Sequence, residues 1–306
     1  MCIRDRIYVA GIMEHIEEAG IHSGDSACSL PPYSISKETQ NQIIEWVSKI
    51  ANEINVVGLM NTQLAIKNKK IYVLEVNPRA SRTVPFVAKS KGIPVAKIAA
   101  KVMVGENLNS ILNDYKINEL KNFNVKESVF PFNKFDGVDL ILGPEMKSTG
   151  EVMGIDETFL SSYIKSQIAC GNILPSKGTV FISIDNDNKK FIIEIAQKLQ
   201  ELDFNLLATK GTAEYLNTNN IKTKIVNKVK EGKPHVVDSL INNEIQLVIN
   251  TTKTQSSIRD SYSIRRTSLM YNIPYYTTIA GAKVAVDAIE HMKTQEFTIK
   301  SLQTIN

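Results

Sequence analysis

Residues 73–79 read Val-Leu-Glu-Val-Asn-Pro-Arg, an alternation of apolar and polar residues that ends at a proline. This pattern is typical of a β-strand with one polar face. Side chains two positions apart in a strand point to the same side, so Glu75 and Asn77 are predicted to share a face, about 7 Å apart. Residues 58–67 are also strand-like and are followed by the polar pair Asn68-Lys69. A hairpin of residues 58–67 and 70–76 is therefore predicted.

The polar face of this hairpin has the composition of a metal–phosphate site. Gln63, on the partner strand, can add its amide oxygen to that of Asn77 and to the carboxylate of Glu75. Mg²⁺ prefers oxygen ligands and shares its coordination shell with substrate phosphates. Arg79 and Arg82 follow directly and suit bidentate contacts with phosphate oxygens. The alternative is an edge strand whose polar face is simply solvated.

Outward from the hairpin, the first half mixes helices with irregular segments. Ser36 is predicted to cap a helix whose apolar residues recur at helical spacing from Ile43 to Ile54. Further helices are predicted at residues 83–91, 95–104 and 160–168. Residues 125–131 resemble a strand, whereas residues 132–149 are rich in Gly, Pro and Asp and are predicted to form a loop or connector.

From residue 179 onward, strand and helix patterns alternate. Strands are predicted at residues 179–184, 205–208, 221–226, 246–250 and 275–278. Helices are predicted between them, including residues 189–202, 256–271 and 281–292. This order predicts a parallel sheet covered on both faces, which binds ligands at the carboxyl ends of its strands. The chain is thus predicted to be α/β, with domains at residues 1–171 and 172–306.

Composition argues against several classes of protein. The 306 residues are 43% hydrophobic and 22% charged. The net charge is only +4, and the Lys and Arg residues are scattered along the chain, which argues against nucleic-acid binding. Cys2, Cys28 and Cys170 form no CxxC pair, so neither disulfides nor a zinc site are predicted and a reducing cytoplasm is expected. Neither a membrane span nor a secretory signal is predicted. Residues 1–6 run directly into the strand-like residues 7–10, so a truncated or misassembled N-terminus is expected.

A second candidate segment, residues 20–26, reads Gly-Ile-His-Ser-Gly-Asp-Ser. Its small residues would let backbone amides approach an anion, while His22, Ser23 and Asp25 add polar groups. The alternative is a turn whose Asp and Ser satisfy local amides, which is the commoner case for such a segment alone.

Taken together, these segments resemble the ATP-grasp core of carbamoyl phosphate synthetase large subunits, in the half that phosphorylates carbamate. The runs that carry the resemblance are residues 11–32, 58–63, 74–86, 129–135 and 142–154. The final domain resembles the methylglyoxal-synthase-like regulatory domain of the same subunit. The resemblance implies a partial ATP-grasp lobe followed by a Rossmann-like parallel-sheet domain.

The resemblance also implies roles for individual positions. Gln63, Glu75 and Asn77 would hold Mg²⁺ or Mn²⁺, and K⁺ is a further cation that the family allows. Arg79 and Arg82 would steady the phosphoryl group that passes from ATP to carbamate. The implied ATP-binding positions are Gly20, Ile21, His22, Ser23, Gln63 and Glu75.

Two regulatory sites are implied in the same way. The positions of a nucleoside monophosphate pocket are Ser183, Lys189, Thr209, Thr212, Lys228, Asn250, Thr251, Thr252 and Thr278. The positions of an ornithine site are Glu17, Asp25, Glu127, Tyr275 and Thr277. Three carboxylates suit a ligand with two ammonium groups. Taken alone, each Thr or Lys of the nucleotide pocket is more typical of a strand-end cap or a solvated charge, and the alternative for the ornithine site is three ordinary surface acids.

By the same resemblance, the chain would act within a longer large subunit that forms oligomers, pairs with a glutaminase small subunit and serves arginine and pyrimidine synthesis. The lobe that covers the nucleotide precedes this sequence in the family, so the chain alone is expected to have negligible turnover. Two alternatives remain open. One is a nucleotide-binding regulatory module without catalysis, and the other is a different ATP-grasp ligase related to biotin carboxylase, against which the final domain argues.

Overall fold

The computed structural model describes residues 2–3, 6–115, 117, 119–135 and 137–295. The first half contains a four-stranded antiparallel sheet in the order β3-β4-β7-β8. Its strands are β3 (Glu14–His15), β4 (Cys28–Leu30), β7 (Phe123–Val129) and β8 (Gly150–Asp156). Before it, β1 (Cys2–Ile3) pairs with β2 (Arg6–Ile7), while residues 1, 4 and 5 lie outside the described residues.

A separate two-stranded ribbon joins β5 (Asn61–Lys67) to β6 (Lys70–Asn77) in antiparallel pairing. The predicted hairpin is therefore present, with Asn68 and Lys69 both at positive φ in the tight turn. The helices of this half are α1 (Lys37–Glu53), α2 (Val84–Lys91), α3 (Val95–Met103), α4 (Leu108–Asn113) and α5 (Phe159–Ala169). Ser36 caps α1 as predicted, because its hydroxyl accepts a hydrogen bond of 3.2 Å from the Thr39 amide.

The second half is a five-stranded parallel sheet in the order β11-β10-β9-β12-β13. Its strands are β9 (Thr179–Ser183), β10 (Asn205–Thr209), β11 (Lys224–Val226), β12 (Leu247–Asn250) and β13 (Tyr275–Tyr276). Its helices are α6 (Lys189–Glu201), α7 (Lys210–Thr218), α8 (Val236–Ile241), α9 (Gln255–Asp260), α10 (Tyr262–Met270) and α11 (Ile279–Thr294). The α/β class and the parallel sheet predicted from the sequence are thus confirmed.

Two local predictions were wrong. The helix predicted at residues 256–271 is divided at Ser261 into α9 and α10. The segment 150–156 lies in the stretch 105–175, which reads as largely irregular in the sequence, but it is strand β8 and pairs with β7 along its whole length. Its strand character comes from that pairing and from α5 packed beside it, since its composition is a poor strand signal.

One hydrophobic core runs through both halves. It joins Val125 of β7 and Ile164 of α5 to Val180 and Ile182 of β9 and to Ile289 of α11, all at most 1% exposed. This shared core seats the parallel sheet against α5 and β7, next to the loops that carry the candidate sites. The division into domains at residues 171 and 172 stays a prediction. Within the described part of the chain, every helix is too short or too polar to cross a bilayer.

Gly154 provides a test of this packing. A Cβ atom at this position would stand 2.0 Å from the Ser162 carbonyl oxygen and 2.6 Å from the Ser166 nitrogen of α5. Gly154→Ala should lower the free energy of unfolding by about 1–3 kcal/mol, since α5 must move off the sheet. Urea denaturation measures this. Gly150→Ala on the same strand is the control, because its Cβ would meet only Val129 Cβ at 3.8 Å. Equal effects of the two substitutions would contradict the packing argument.

Candidate functional site

The ribbon sets four oxygen-bearing side chains on one face. Asn61 lies opposite Asn77 and Gln63 opposite Glu75, with a register shift directly after Gln63. Directly opposed residues of an antiparallel pair share a face. A hydrogen bond of 2.6 Å from Asn77 Nδ2 to Glu75 Oε1 shows that these two side chains meet. The structure therefore brings Gln63, Glu75 and Asn77 together.

Asn61 was missed in the sequence, although it stands two positions before Gln63 and so obeys the same alternation. The four side chains offer one carboxylate and three amide oxygens, the hard donors that Mg²⁺ and Mn²⁺ accept. Glu75 is exposed, and among the described residues no cation forms an ion pair with it. Its charge is thus open to a metal. In the described part of the chain, no group of three or more His, Cys, Asp or Glu side chains forms a metal site.

The two arginines after β6 differ in their surroundings. Arg79 is exposed and donates to the Ala80 carbonyl at 2.9 Å. Arg82 is about one-third exposed, donates from Nη1 to the Ser148 carbonyl at 3.2 Å, and lies 3.8 Å from Glu151. Arg82 is therefore held by residues from a distant part of the sequence, whereas Arg79 is held only by its neighbour.

The segment 20–26 is a loop tied to two other parts of the lobe. The His22 amide donates to the Gly143 carbonyl at 2.8 Å, and the His22 Nδ1 atom accepts from the Gly24 amide at 3.0 Å. Lys126, fully buried on β7, donates to the carbonyls of Ser23 and Gly24 at 3.3 Å each. The segment therefore forms a turn, but it differs from the expected alternative, because the Asp25 carboxylate binds amides distant in sequence and none within the turn.

Asp25 anchors this loop. Its side chain is 1% exposed, and its two carboxylate oxygens accept from the amides of Lys147 at 2.8 Å and Ser148 at 2.9 Å. A carboxylate with both oxygens hydrogen-bonded to backbone amides is a structural anchor. The structure therefore shows Asp25 as an anchor of the 20–26 loop, and its role in the ornithine site stays a prediction.

Glu17 and Glu127 do come together, in a half-buried cluster. Burial raises the pKa of Glu17 to about 8, and repulsion from Glu127 adds to the rise. Burial also raises the pKa of Glu127 to about 7. The Ala27 amide donates to Glu17 at 2.7 Å, and the Gln167 amide to Glu127 at 2.5 Å. Two carboxylates whose charge is disfavoured in this way suit a cationic ligand.

The tyrosine in this cluster is Tyr276, whereas Tyr275 had been predicted. The Tyr276 hydroxyl accepts from the Tyr163 hydroxyl at 3.3 Å and contacts Asn172, which in turn bonds to Gln167. Tyr275 is adjacent on β13, and its side chain faces Arg265 and Asn250 instead. Strand alternation explains the difference. Thr277 follows β13 and is half-buried.

The predicted nucleotide pocket gathers at the carboxyl ends of the parallel strands. Ser183 ends β9 opposite Asn250, which ends β12. The Ser183 and Thr209 hydroxyl oxygens lie 3.4 Å apart, and Thr209 donates to Thr212 at 3.5 Å. Lys189, at the start of α6, directs its Nζ to within 3.7 Å of where a Cβ on Gly211 would stand. Three hydroxyls and a lysine thus converge beside a glycine that leaves room for a ligand.

The remaining predicted pocket residues have other partners. The Thr251 hydroxyl donates to Asp185 Oδ2 at 2.7 Å and accepts from the Asp185 amide at 3.1 Å. Partial burial alone would raise the pKa of Asp185, but hydrogen bonds from Thr251 and Asn188 lower it below its ordinary value. Thr278 caps α11 through the Gly281 amide. Lys228 is exposed and Thr252 half-buried.

Comparison with known proteins places these sites in two classes of domain. Residues 4–111 match the family model described as carbamoyl-phosphate synthase L chain, ATP binding domain, and residues 191–277 match the MGS-like domain. The chain therefore joins part of an ATP-binding domain, which contains the ribbon, to an MGS-like domain, which contains six of the nine residues predicted to bind a nucleotide.

Relatives that match nearly the whole of this chain include carbamoyl phosphate synthase large chains. That of Myxococcus xanthus (strain DK1622) is 51% identical over 97% of this chain and 27% of its own length. Those of Archaeoglobus fulgidus and Rhizobium meliloti (strain 1021) are 49% and 50% identical over 99% of this chain, and over 28% and 26% of their own lengths. The family resemblance inferred from the sequence is confirmed. The chain spans only about a quarter of these relatives.

Among solved structures, a methylglyoxal synthase from Elizabethkingia anophelis NUHP1 aligns with 37% of this chain and 79% of its own chain. The sequence identity is 18% and the TM-score 0.30, too low to carry an argument.

The raised pKa of Glu17 predicts a pH dependence of stability. The folded chain keeps a proton on Glu17 between its ordinary value of 4.5 and about 8, whereas the unfolded chain releases it. Stability from this group is therefore complete below pH 4.5 and is lost as pH rises toward 8. Glu17→Gln should remove this loss, so the variant gains on the parent by about 1–3 kcal/mol between pH 5 and pH 8.

Urea denaturation at a series of pH values measures the gain. Glu18→Gln is the control, because it removes the same charge from an exposed neighbouring position. A constant difference between Glu17→Gln and the parent across this range would contradict the burial argument.

Proposed function

We propose that this chain is the part of a carbamoyl phosphate synthase large subunit that phosphorylates carbamate and senses nucleotides and ornithine. The observation that carries the proposal is the ribbon face with Gln63, Glu75 and Asn77, followed by Arg79 and Arg82. Its domains would be residues 1–171, the ATP-grasp part with its connector, and residues 172–306, the allosteric part. The location would be the cytoplasm.

In the proposed reaction, a carbamate oxygen attacks the γ-phosphorus of ATP, and the bond to the β,γ-bridging oxygen breaks to release ADP and carbamoyl phosphate. Mg²⁺ or Mn²⁺ would neutralise the phosphate charge, which is the main requirement of phosphoryl transfer. Gln63, Glu75 and Asn77 would hold the ions, and K⁺ is a further cation for the full enzyme. Arg79 and Arg82 would orient the transferring group, and Gly20, Ile21, His22 and Ser23 would line the nucleotide site.

Regulation would act through two further sites. Glu17 and Glu127 would take the ammonium groups of ornithine, with Thr277 and the main chain of Tyr275 beside them. Nucleoside monophosphates would bind where Ser183, Thr209, Thr212 and Lys189 converge. In the full-length subunit, the products would feed arginine and pyrimidine synthesis, with ammonia supplied by a glutaminase small subunit and assembly into oligomers.

A second candidate function is nucleotide binding without catalysis, which the pocket in the parallel sheet favours. The two functions differ over the ribbon. Only the first requires the ribbon carboxylate once the remaining part of the ATP site is supplied, and in both cases this chain alone should release negligible ADP from ATP and carbamate.

Glu75→Gln in the full-length subunit tests the ribbon. Loss of the only carboxylate on that face should lower ATP-dependent carbamoyl phosphate formation from carbamate about 100-fold or more, the usual effect of removing a central electrostatic contact. A coupled enzymatic assay of ADP release measures this loss of activity. Glu53→Gln, at the exposed end of α1, is the control. Activity of Glu75→Gln within threefold of the parent would exclude the catalytic proposal and leave the regulatory one.

Lys189→Met tests the nucleotide pocket in the chain itself. A charge-assisted hydrogen bond to phosphate contributes about 1.5–3 kcal/mol, so the Kd for UMP should rise at least tenfold. Isothermal titration calorimetry measures it. Lys190→Met is a matched control, because Lys190 is exposed and its Nζ lies over the Phe191 ring. Similar Kd values for both variants would place the phosphate elsewhere.

A further inference from the structure

Arg265, on α10, is an arginine buried between the two halves of the chain. Its side chain is 1% exposed, yet it carries a full charge. Nε and Nη2 donate to the two carboxylate oxygens of Asp139 at 2.5 Å each, and Nη2 also donates to the Ile258 carbonyl at 2.7 Å. A bidentate pair of this kind fixes both partners in distance and angle. Asp139 belongs to the first half, so the pair ties that half to α10.

The other edge of the guanidinium faces the nucleotide pocket. Arg265 Nη1, the Tyr275 hydroxyl and both amide atoms of Asn250 are buried, and within the described residues none of them has a hydrogen bond of good geometry. Burial has the larger effect and raises the pKa of Tyr275, whereas hydrogen-bonding proximity to the Arg265 and Asn250 side chains lowers it, so the three side chains are neighbours. Asn250 ends β12 opposite Ser183 of the pocket. Buried polar atoms with poor hydrogen-bond geometry are costly, so a ligand that engaged Asn250 would alter the contacts of Tyr275 and Arg265 as well.

Asp139 begins a segment, residues 139–148, that we call the strap. Lys147 Nζ donates to the Ile141 carbonyl at 2.7 Å and so closes the strap on itself. The Gly143 carbonyl accepts from the His22 amide at 2.8 Å, and the amides of Lys147 and Ser148 bind the Asp25 carboxylate. The strap therefore holds the 20–26 loop directly.

The strap also contacts Arg82, which follows the ribbon in sequence. The Ser148 carbonyl accepts from Arg82 Nη1 at 3.2 Å, and the Ser148 hydroxyl donates to the Gly24 carbonyl at 3.1 Å. Ten residues thus connect a buried ion pair beside the nucleotide pocket to a predicted ATP-binding loop and to a predicted phosphate-binding arginine.

We propose that the strap transmits nucleotide binding in the parallel sheet to the 20–26 loop and Arg82, with Arg265 and Asp139 as its positioning residues. The inference rests on the proposed function, because it assigns the route by which one proposed site regulates the other. Asn250 is the contact on the nucleotide side, and Asp25 is the contact on the ATP side.

Hydrogen–deuterium exchange on the whole chain tests the route, with UMP and IMP as probes. In the parent, saturating UMP or IMP should change the exchange rates of peptides covering residues 20–27 and 141–149 at least threefold. Asp139→Asn keeps the size of the side chain but loses the ion pair. It should bind the nucleotide with a Kd within threefold of the parent, while the response of both peptides falls below 1.3-fold.

Asp287→Asn is the matched control, because it breaks the Lys198–Asp287 pair on α6 and α11, away from the strap. It should keep both nucleotide binding and the peptide response. If Asp139→Asn fails to fold, Lys147→Met takes its place, since it removes the bond that closes the strap and leaves Arg265 paired.

The outcomes separate the two proposals. The strap proposal is overturned if Asp139→Asn keeps the full nucleotide-induced change in exchange. It is also overturned if the parent chain binds UMP or IMP without any change in exchange. Both outcomes leave the nucleotide pocket intact. Failure of the parent to bind either probe overturns the pocket itself, and the strap proposal with it. Loss of response with retained binding supports the route, because a merely structural role would not separate the two measurements.

Discussion

The carboxylate of Asp25 is the contact on which the arrangement of the 20–26 loop and the strap depends. This buried carboxylate accepts hydrogen bonds from the amides of Lys147 and Ser148, which lie more than 120 residues away in sequence. Neither the 20–26 loop nor the strap has regular secondary structure, so their backbone polar groups need partners from outside. Asp25 and Lys126 supply these partners, and both side chains are at most 1% exposed. Loops fixed in this way hold Arg82, the arginine predicted to contact phosphate, through the Ser148 carbonyl.

The two carboxylates of the half-buried cluster follow the opposite logic. Glu17 and Glu127 receive too few hydrogen bonds to offset burial, and their pKa values rise as a result. A carboxylate whose charged form is disfavoured by burial is a common sign of a binding site, because a positively charged ligand stabilises that form. The contrast with Asp25, whose oxygens accept two amides, separates a structural acid from a candidate ligand-binding acid within a single short segment.

The junction between the two halves combines apolar and ionic contacts. The continuous core from β7 and α5 to β9 and α11 supplies most of the burial. The Arg265–Asp139 pair restricts the relative orientation of the two halves, because a planar guanidinium and a carboxylate pair in only a few geometries. An apolar contact tolerates sliding, whereas a buried bidentate pair does not. Because the ion pair resists sliding, α10, which packs on the parallel sheet, can fix the position of the strap in the first half.

The sequence by itself determined the alternation of strands and helices after residue 179, the hairpin at Asn68-Lys69 and the shared face of Glu75 and Asn77. Each follows from local periodicity or turn chemistry, which acts within a few residues. Only the tertiary structure decided that residues 150–156 form a strand, that Tyr276 and not Tyr275 joins Glu127, and that Asp25 and Arg265 are anchors. These depend on partners distant in sequence, and a residue's own neighbours carry no signal of a partner that folding brings beside it.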